Sequence, residues 1–431
     1  MKLLVVGSGG REHALCHVLR KSSARALEIF CAPGNDGIKQ VAECVAVNAT
    51  DTQALSRFAL EKGIDLTIVG GEAPLAAGIV DQFERQGLTI AGASQSAARL
   101  ESSKAFAKDF MARHGIPTAR YRIADSAGQA LDILRRGEFG GEEASVVVKA
   151  DGLAAGKGVV VARTRSEAGR AIEDLMERGT AGAEAARRIV IEEALDGPEA
   201  SLLLFADGRD YALMPAARDH KRIGEGDTGP NTGGMGAVTD RSILDEETLR
   251  RIELEIVRPT LEGARTEAMP FRGVLFVGLM LTADGPRVLE YNVRFGDPET
   301  QAILVRLKSD LVNIFEAVAH GGLDQVPVEW TDEASACVVL AARGYPGQPE
   351  TGAPIVGLKR AARVPGVEIF HAGTRATAEG EWLTAGGRVL GLTAAARNLS
   401  EALDSCYRAA SEIHWDGMQY RRDIGKFREK G

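Results

Sequence analysis

"GLMLTADGPRVLEYNVRFGDPETQ", residues 278–301, decides how the rest of the chain is read. It predicts a strand, a turn at Asp284-Gly285, and a second strand ending in Glu290-x-Asn292-x-Arg294. Alternate residues of a strand share one face, so Glu290, Asn292 and Arg294 project together. A carboxylate beside an amide oxygen suits Mg²⁺, which prefers oxygen ligands and keeps positions open for nucleotide phosphates. A guanidinium one pleat further on can meet a phosphoryl group in transfer. A solvated strand face also alternates polar residues, but it does not explain why Asp297 and Glu299 arrive in the same stretch.

Two glycine loops are then tested. In "VVVKADGLAAGKGVVVA", residues 146–162, the Walker pattern fails: Asp151 occupies its first glycine position and Gly158 follows Lys157. The order is instead strand, Lys149, small-residue loop, Lys-Gly, strand. Gly152, Ala154, Ala155, Gly156 and Gly158 would let a hairpin flap bring its backbone close to phosphate oxygens. A plain glycine-rich hairpin fits this stretch equally well when it is taken alone. The opening "VVGSGGREHAL", residues 5–15, starts like a dinucleotide fingerprint with Gly7 and Gly9, but its third glycine position holds Glu12. The second strand ends in Ala32-Pro33-Gly34-Asn35 rather than in an acid for the ribose. NAD is therefore disfavoured. Amides at a helix start still favour a single phosphate, and Arg11 could add a charged fork.

The composition is that of a folded globular chain: 431 residues, 45% hydrophobic and 26% charged. A net charge of −8 argues against a general nucleic-acid binder. The basic residues Arg421, Arg422, Lys426 and Arg428 read as a solvated face. Five scattered cysteines, with no close pair, support neither a zinc knuckle nor a disulfide framework. With no long apolar run and no signal-peptide core, a cytoplasmic setting without membrane attachment is expected. A βα rhythm covers the first hundred residues, with strands at 3–6, 27–31, 66–69 and 89–91. A helix follows from about residue 103 to His114, then shorter strands at 145–149, 158–162 and 188–192 around a helix at 166–176. Later strands fall at 200–205, 211–215, 273–281, 287–292, 334–341, 366–370 and 388–393, before a helix at 400–413.

Lys149, the flap, "IVIEEAL" and "LEYNVRFGDPETQ" together resemble the ATP-grasp carboxylate–amine ligases. Within them, "GSGGREHAL", "APGN", "SSKAFAKDFMARHGIPTA", "KADGLAAGKGV", "DHKRIGEGDTGPNTGGMGA" and "RFGDPETQ" resemble the phosphoribosylamine–glycine ligase family along nearly the whole chain. The family reads "VGPEAPL" where this chain has "VGGEAPL" at 69–75, so Gly71 should loosen that turn without removing an N–H donor. The resemblance implies an α/β chain: an ATP-grasp fold with an N-terminal Rossmann-like parallel-sheet domain and a small C-terminal α+β domain. The expected boundaries are 1–103, 104–325 (flap about 122–192) and 326–431. It also implies a monomer or weak homodimer acting on the small molecules glycine, 5-phosphoribosylamine and ATP, with Mg²⁺ (or Mn²⁺). The implied products are glycinamide ribonucleotide, ADP and phosphate, formed through glycyl phosphate in the second step of purine biosynthesis.

Site roles follow from the same resemblance. Lys104 and Lys149 should contact ATP phosphates, with Gly152, Gly156, Lys157 and Gly158 in the covering flap. Glu192, Glu193, Ala194 and Leu195 should form the adenine hinge, and Glu199 should take the ribose hydroxyls. Glu290 and Asn292 should hold the metal, and Arg294 should stabilise the transferring phosphoryl group. Asp219, Lys221, Asp297, Pro298 and Glu299 are expected at the glycine and amine end. Gly9, Gly10, Arg11 and Glu72 should receive phosphoribosylamine.

His13 and His17 have the helical spacing of a zinc pair, but Glu12 precedes the first histidine instead of following it, so a partly buried helix face is preferred. His220 suits either proton transfer or a structural hydrogen bond. Another purine-pathway ATP-grasp ligase would share the nucleotide half but lack the paired motifs "RFGDPETQ" and "DTGPNTGGMGA". A dehydrogenase would need the opening loop to hold NAD. An inactive nucleotide-binding regulator is hard to reconcile with Lys149, Glu290 and Asn292 all being present.

Overall fold

In the computed structural model, residues 1–154, 158–180, 182 and 184–427 are described. The first hundred form a five-stranded parallel sheet with Lys2–Gly7 at its centre. Glu28–Pro33 and then Glu43–Cys44 lie on one side of it, with Leu66–Val69 and Ile90–Ala91 on the other. Residues 3–6 are fully buried, as strands covered on both faces require. Strand order reverses at Lys2–Gly7, so the loops after Gly7 and Val69 splay apart into a crevice at the carboxyl edge.

Helix Lys104–Arg113 opens on Ser103, whose Oγ accepts the Phe106 N–H at 3.1 Å. Asp151 reinforces that start from another element: its Oδ1 accepts from Ala105 N at 2.7 Å and from Ser103 Oγ at 2.9 Å. Asp151 follows strand Val146–Ala150 in a four-stranded antiparallel sheet, ordered Tyr121–Ala124, Ile189–Glu193, Val146–Ala150, Val159–Ala162. Helices Ala127–Arg135 and Arg165–Met176 bury Leu134, Ile172 and Leu175 against it.

The largest sheet has nine antiparallel strands. It begins at Gly285–Asn292, passes through Arg272–Thr282 and Glu199–Asp207, and reaches Gly236–Thr239 by way of Ala217–Asp219. There it does not stop. Gly236–Thr239 pairs with Ala334–Ala341, and Arg388–Ala396 and Val367–His371 follow, so one sheet runs across residue 326. Ala334–Ala341 is buried along its whole length, and helix Leu399–Glu412 packs over it. Short strands such as Glu43–Cys44 and Gly236–Thr239 are added to those predicted; at two and four residues they carry too little pattern to be read from sequence.

His13 joins the first sheet's helix, Gly10–Ser22, to the far end of the chain. Its Nδ1 accepts the His371 N–H at 2.9 Å, and its ring meets Phe370 edge-on at 5.7 Å. His17 instead faces Glu368, with Nε2 to Oε1 at 3.4 Å. Among the described residues, no helix is long and apolar enough to cross a membrane, and all five cysteines are free thiols.

Burial, helped by the neighbouring His371 and His17, pushes His13 down to about 3. That lies below the unfolded value, so only the unfolded chain gains a proton as pH falls below about 6.5. The stability contributed by neutral His13 is complete above that pH and is lost in acid. Between about pH 7 and about pH 5 this amounts to about 2 kcal/mol. His13→Gln, which keeps an acceptor for His371, should lose about 2 kcal/mol less unfolding free energy than the parent over that interval. Equal losses in chemical denaturation would refute this.

Candidate active site

The hairpin of Arg272–Thr282 and Gly285–Asn292 places Phe276 opposite Asn292 and Gly278 opposite Glu290. A Cβ on Gly278 would sit 3.3 Å from Glu290 Cγ, so glycine there leaves the carboxylate its room. The backbone of this strand also receives the flap sheet: Lys149 Nζ donates to Leu289 O at 3.0 Å.

Lys149 is buried, and so are its neighbours. Glu192 lies between two ammonium groups, with Oε1 3.0 Å from Lys149 Nζ and Oε2 2.9 Å from Lys108 Nζ. Lys108 also donates to Thr118 Oγ1 at 2.8 Å. Burial drives Lys108 down to about 8, against the pull of Glu192. Burial likewise lowers Lys104, whose Nζ reaches Gly152 O at 3.3 Å at the mouth of the flap. Of the flap residues, Gly152 and Gly158 are placed beside Ala185 and Ala150, respectively, by backbone hydrogen bonds of 3.0 and 2.7 Å. Gly156 and Lys157 lie outside the described residues.

The hinge segment leaves strand Ile189–Glu193 through Ala194 and Leu195 and enters Glu199–Asp207. Glu193 is held on Arg120, accepting from its N at 2.9 Å and its Nε at 2.6 Å. Gly197 permits the crossing: its φ is 145° and a Cβ would lie 2.2 Å from Leu281 O. Beyond the hinge, Lys221 Nζ bridges Glu199 Oε2 at 2.8 Å and Asp219 Oδ1 at 2.9 Å. The residue expected at the ribose and those expected at the glycine end thus form one ionic group.

Arg294 is the junction of the site. Its Nε donates to Glu72 Oε2 at 3.2 Å, Nη1 to Phe295 O at 3.0 Å, and Nη2 to Asn292 Oδ1 at 3.1 Å. Glu101 Oε1 lies 3.2 Å from the same Nη2. Next in the chain, Asp297 is gripped from the far end of the large sheet: Arg388 Nη2 meets its Oδ2 at 2.9 Å, and Nη1 donates to its backbone oxygen at 2.5 Å. Gln301 Nε2 supplies Oδ1 at 2.8 Å. Arg388 Nη1 also donates to Gly233 O at 2.6 Å, and Tyr345 Oη accepts from Gly233 N at 2.8 Å. Glu299, following Pro298, is buried; burial and the Asp219 carboxylate push it up to about 7, against Lys221 and Arg294.

The opening loop reaches the same place. Arg11 Nη1 donates to Phe295 O at 2.9 Å, its Nε meets Glu12 Oε1 at 2.7 Å, and a Cβ on Gly71 would lie 2.8 Å from its Nη2. Gly9 donates its N–H to Glu12 Oε2 at 2.6 Å, so that amide is already engaged. A Cβ on Gly9 would lie 3.5 Å from Asp297 Oδ2, and one on Gly10 2.9 Å from Gln301 Nε2. The 7–12 loop and the 294–301 segment are therefore in contact.

For a divalent metal the chain offers Glu290 and Asn292, two oxygen donors on one strand face. No group of three or more His, Cys, Asp or Glu poised for a metal occurs among the described residues. Two donors beside lysines suit Mg²⁺, which takes one or two protein ligands and fills its shell with phosphate and water. His220 has a structural part. Its Nε2 accepts from Gly425 N at 2.9 Å, it stacks on Phe427 at 4.4 Å, and burial drops it to about 4.

Glu101, Lys108 and Arg388 escaped the sequence reading. Lys108 carried a usable signal, since it lies four residues after Lys104 on a predicted helix and shares its face. Glu101 and Arg388 carried none, because only the tertiary fold brings them to the site.

Comparison with known proteins identifies the family. Family models describing the phosphoribosylglycinamide synthetase N domain, ATP-grasp (A) domain and C domain match residues 1–101, 102–300 and 335–427. A phosphoribosylamine–glycine ligase of Xylella fastidiosa is 48% identical over 99% of this chain and 97% of its own. One of Vibrio cholerae is 47% identical over 99% and 98%. The crystal structure of the Thermotoga maritima phosphoribosylamine–glycine ligase superposes with a TM-score of 0.84 at 33% identity, covering 98% of this chain and all of that one. The biotin carboxylase domain of Hydrogenobacter thermophilus 2-oxoglutarate carboxylase, solved with MgADP and bicarbonate, shares the fold at a TM-score of 0.72 and 17% identity, over 98% of this chain and 92% of that one.

Glu192 gives a direct check on the buried charges. Glu192→Gln leaves two buried ammonium groups without their carboxylate and should cost about 3–5 kcal/mol of unfolding free energy. A loss below about 1 kcal/mol in chemical denaturation would show that the lysines do not depend on it.

Proposed function

The chain belongs to the phosphoribosylamine–glycine ligase family, and we propose that it joins glycine to 5-phosphoribosylamine where its parallel sheet, flap sheet and large sheet meet. The enzyme is an ADP-forming carbon–nitrogen ligase of the ATP-grasp fold, and the product is glycinamide ribonucleotide, the second step of purine biosynthesis. The observation that carries the site assignment is the convergence on Arg294 and its neighbours. Glu72 and Arg11 come from the parallel sheet's crevice, Lys149 from the flap sheet, and Glu290 and Asn292 from the large sheet.

A carboxylate is a poor acyl donor, because its leaving group would be oxide. A glycine carboxylate oxygen therefore attacks the γ-phosphorus of ATP, ADP leaves, and glycyl phosphate forms. The ribosyl amine then attacks the carbonyl carbon, phosphate departs, and the amine gives up a proton. The protein mainly positions the reactants and offsets charge, and positioning alone supplies about 7–11 kcal/mol in favourable models. Lys104 and Lys149 hold the phosphates under the 152–158 flap. Residues 192–195 hold adenine, and Glu199 the ribose. Glu290 and Asn292 would hold Mg²⁺ (or Mn²⁺), whose chemistry is to offset phosphate charge. Arg294 faces the phosphoryl group. Asp219, Lys221, Asp297, Pro298 and Glu299 line the glycine and amine end, and Gly9, Gly10, Arg11 and Glu72 receive phosphoribosylamine. Glu299, held near 7, is suited to take the amine proton.

The same reading takes residues 1–103, 104–325 and 326–431 as three units of a monomer or weak homodimer. Free thiols throughout support a cytoplasmic setting. The deciding assay is ADP release. It should require glycine and phosphoribosylamine together, and NAD binding without ligase turnover would overturn the proposal. Glu290→Ala should abolish ligation while shifting the melting temperature by only a few degrees, because a half-exposed metal ligand is not core packing. Near-normal turnover would remove Glu290 from the site. Arg11→Ala should raise KM for phosphoribosylamine about tenfold or more, the loss of a charge-assisted hydrogen bond, and leave KM for ATP within about twofold. Equal changes would place Arg11 outside the amine pocket.

A further inference from the structure

We propose that Glu101 is a positioning residue for ligation, holding the Arg294 guanidinium in the orientation that phosphoryl transfer requires. The proposal rests on Arg294 facing the phosphoryl group. Glu101 lies on the short helix Arg99–Ser102, next to the Ser103–Lys104 helix start, and is 8% exposed. Its two oxygens do different work. Oε2 accepts the Val293 N–H at 2.8 Å, fixing the backbone immediately before Arg294. Oε1 lies 3.2 Å from Arg294 Nη2.

One accepted N–H does not explain a buried carboxylate, since a neutral amide would accept it without the desolvation cost of a charge. The second contact supplies the reason. A guanidinium has five N–H donors in a fixed planar fork. On Arg294, Nε goes to Glu72, one Nη1 donor to Phe295 O and one Nη2 donor to Asn292, while Glu101 Oε1 is the ion-pair partner of Nη2 at 3.2 Å. The remaining Nη1 donor has no acceptor among the described residues and is the one left for a ligand. Glu72 is the weaker anchor of the two carboxylates, because its side chain is 36% exposed against 7% for Glu101. Asn292 is wanted by the metal, which leaves Glu101 as the fixed point that no reactant needs.

Glu101→Gln tests this, because its carbonyl can still accept from Val293 while its NH₂ meets Arg294 donor to donor. The expected result is a kcat reduced about thirtyfold or more, with KM for ATP within about threefold and the melting temperature within a few degrees. Single-turnover reactions with excess enzyme extend the measurement to Arg294→Ala, where adding Glu101→Gln should cost less than about threefold more. The proposal is overturned if Glu101→Gln keeps kcat within about threefold of the parent, or if its penalty is undiminished in the Arg294→Ala background. If Glu101→Gln does not fold, Glu101→Asp, which keeps the charge but loses reach, is put through the same cycle with the same criteria. Near-normal turnover in Arg294→Ala would overturn the site reading and this proposal with it. An inactive Arg294→Ala beside a near-normal Glu101→Gln would overturn this proposal alone.

Discussion

One carboxylate between two buried ammonium groups sets the terms for the nucleotide half of the molecule. Glu192 meets Lys149 and Lys108 at 3.0 and 2.9 Å, in surroundings where all three side chains are nearly excluded from water. Desolvating an ion costs several kcal/mol, and a neighbour of opposite sign repays this only when the geometry is good. Here a single negative charge serves two positive ones, so the layer beneath the flap is under-compensated. On the proposed function, the phosphates of ATP enter beside Lys149 and Lys104 and complete the balance. Burial, with the neighbouring Lys149 charge as a smaller contribution, holds Lys108 down at about 8. The same group couples elements distant in sequence, because Lys108 sits on the helix at 104–113 while Lys149 and Glu192 sit on paired strands of the flap sheet.

The substrate end depends on a different constraint, the continuity of the large sheet. Gly236–Thr239 hands the sheet on to Ala334–Ala341 and Arg388–Ala396, and that registration delivers Arg388 and Tyr345 to the 233–234 and 297 loops. The chain's last hundred residues are thereby joined to the 233 and 297 loops, which the proposed function places at the glycine and amine end. Asp297 is left with Arg388 on one carboxylate oxygen and Gln301 on the other, so it is charge-balanced and fixed in direction before any substrate arrives. Glu299, two residues on, makes no ion pair within 4 Å among the described residues, and burial and the Asp219 carboxylate push it up to about 7. Two carboxyl groups in one short segment thus sit in different surroundings, one paired with Arg388 and Gln301 and the other buried.

What could be read from sequence follows from how local the signals are. The parallel sheet, the flap hairpin and the strand face with Glu290 and Asn292 rest on short-range periodicity and turn chemistry, and the structure has all three; Arg294 lies past the end of that strand and meets Asn292 through its guanidinium. Resemblance supplied the family and its reaction, which the close relatives share by name. The uninterrupted sheet across residue 326 could not be read, since pairing of Gly236–Thr239 with Ala334–Ala341 spans about a hundred residues and leaves no periodic trace. Glu101 and Arg388 were invisible for the same reason. Lys108 was visible in principle, but an alternating charge on a helix is most often solvated, and only its burial shows otherwise.

Glu12 shows how a departure from a pattern can be the informative residue. In a dinucleotide fold the third glycine lets helix and strand pack close together. Here that position carries a carboxylate, and other glycines make way for it: a Cβ on Gly7 would lie 2.5 Å from Glu12 Cδ, and one on Gly70 2.2 Å from its Oε1. The side chain, 1% exposed, turns inward to accept from Gly9 N and to pair with Arg11 Nε. A buried negative charge beneath the loop opposes a diphosphate and takes away one of the amides that would bind it. It also holds Arg11 with Nη1 on Phe295 O, next to the segment that carries Arg294 and Asp297. The loop is thereby changed from a nucleotide cradle into a support for one arginine, and that arginine reaches the segment between Arg294 and Asp297.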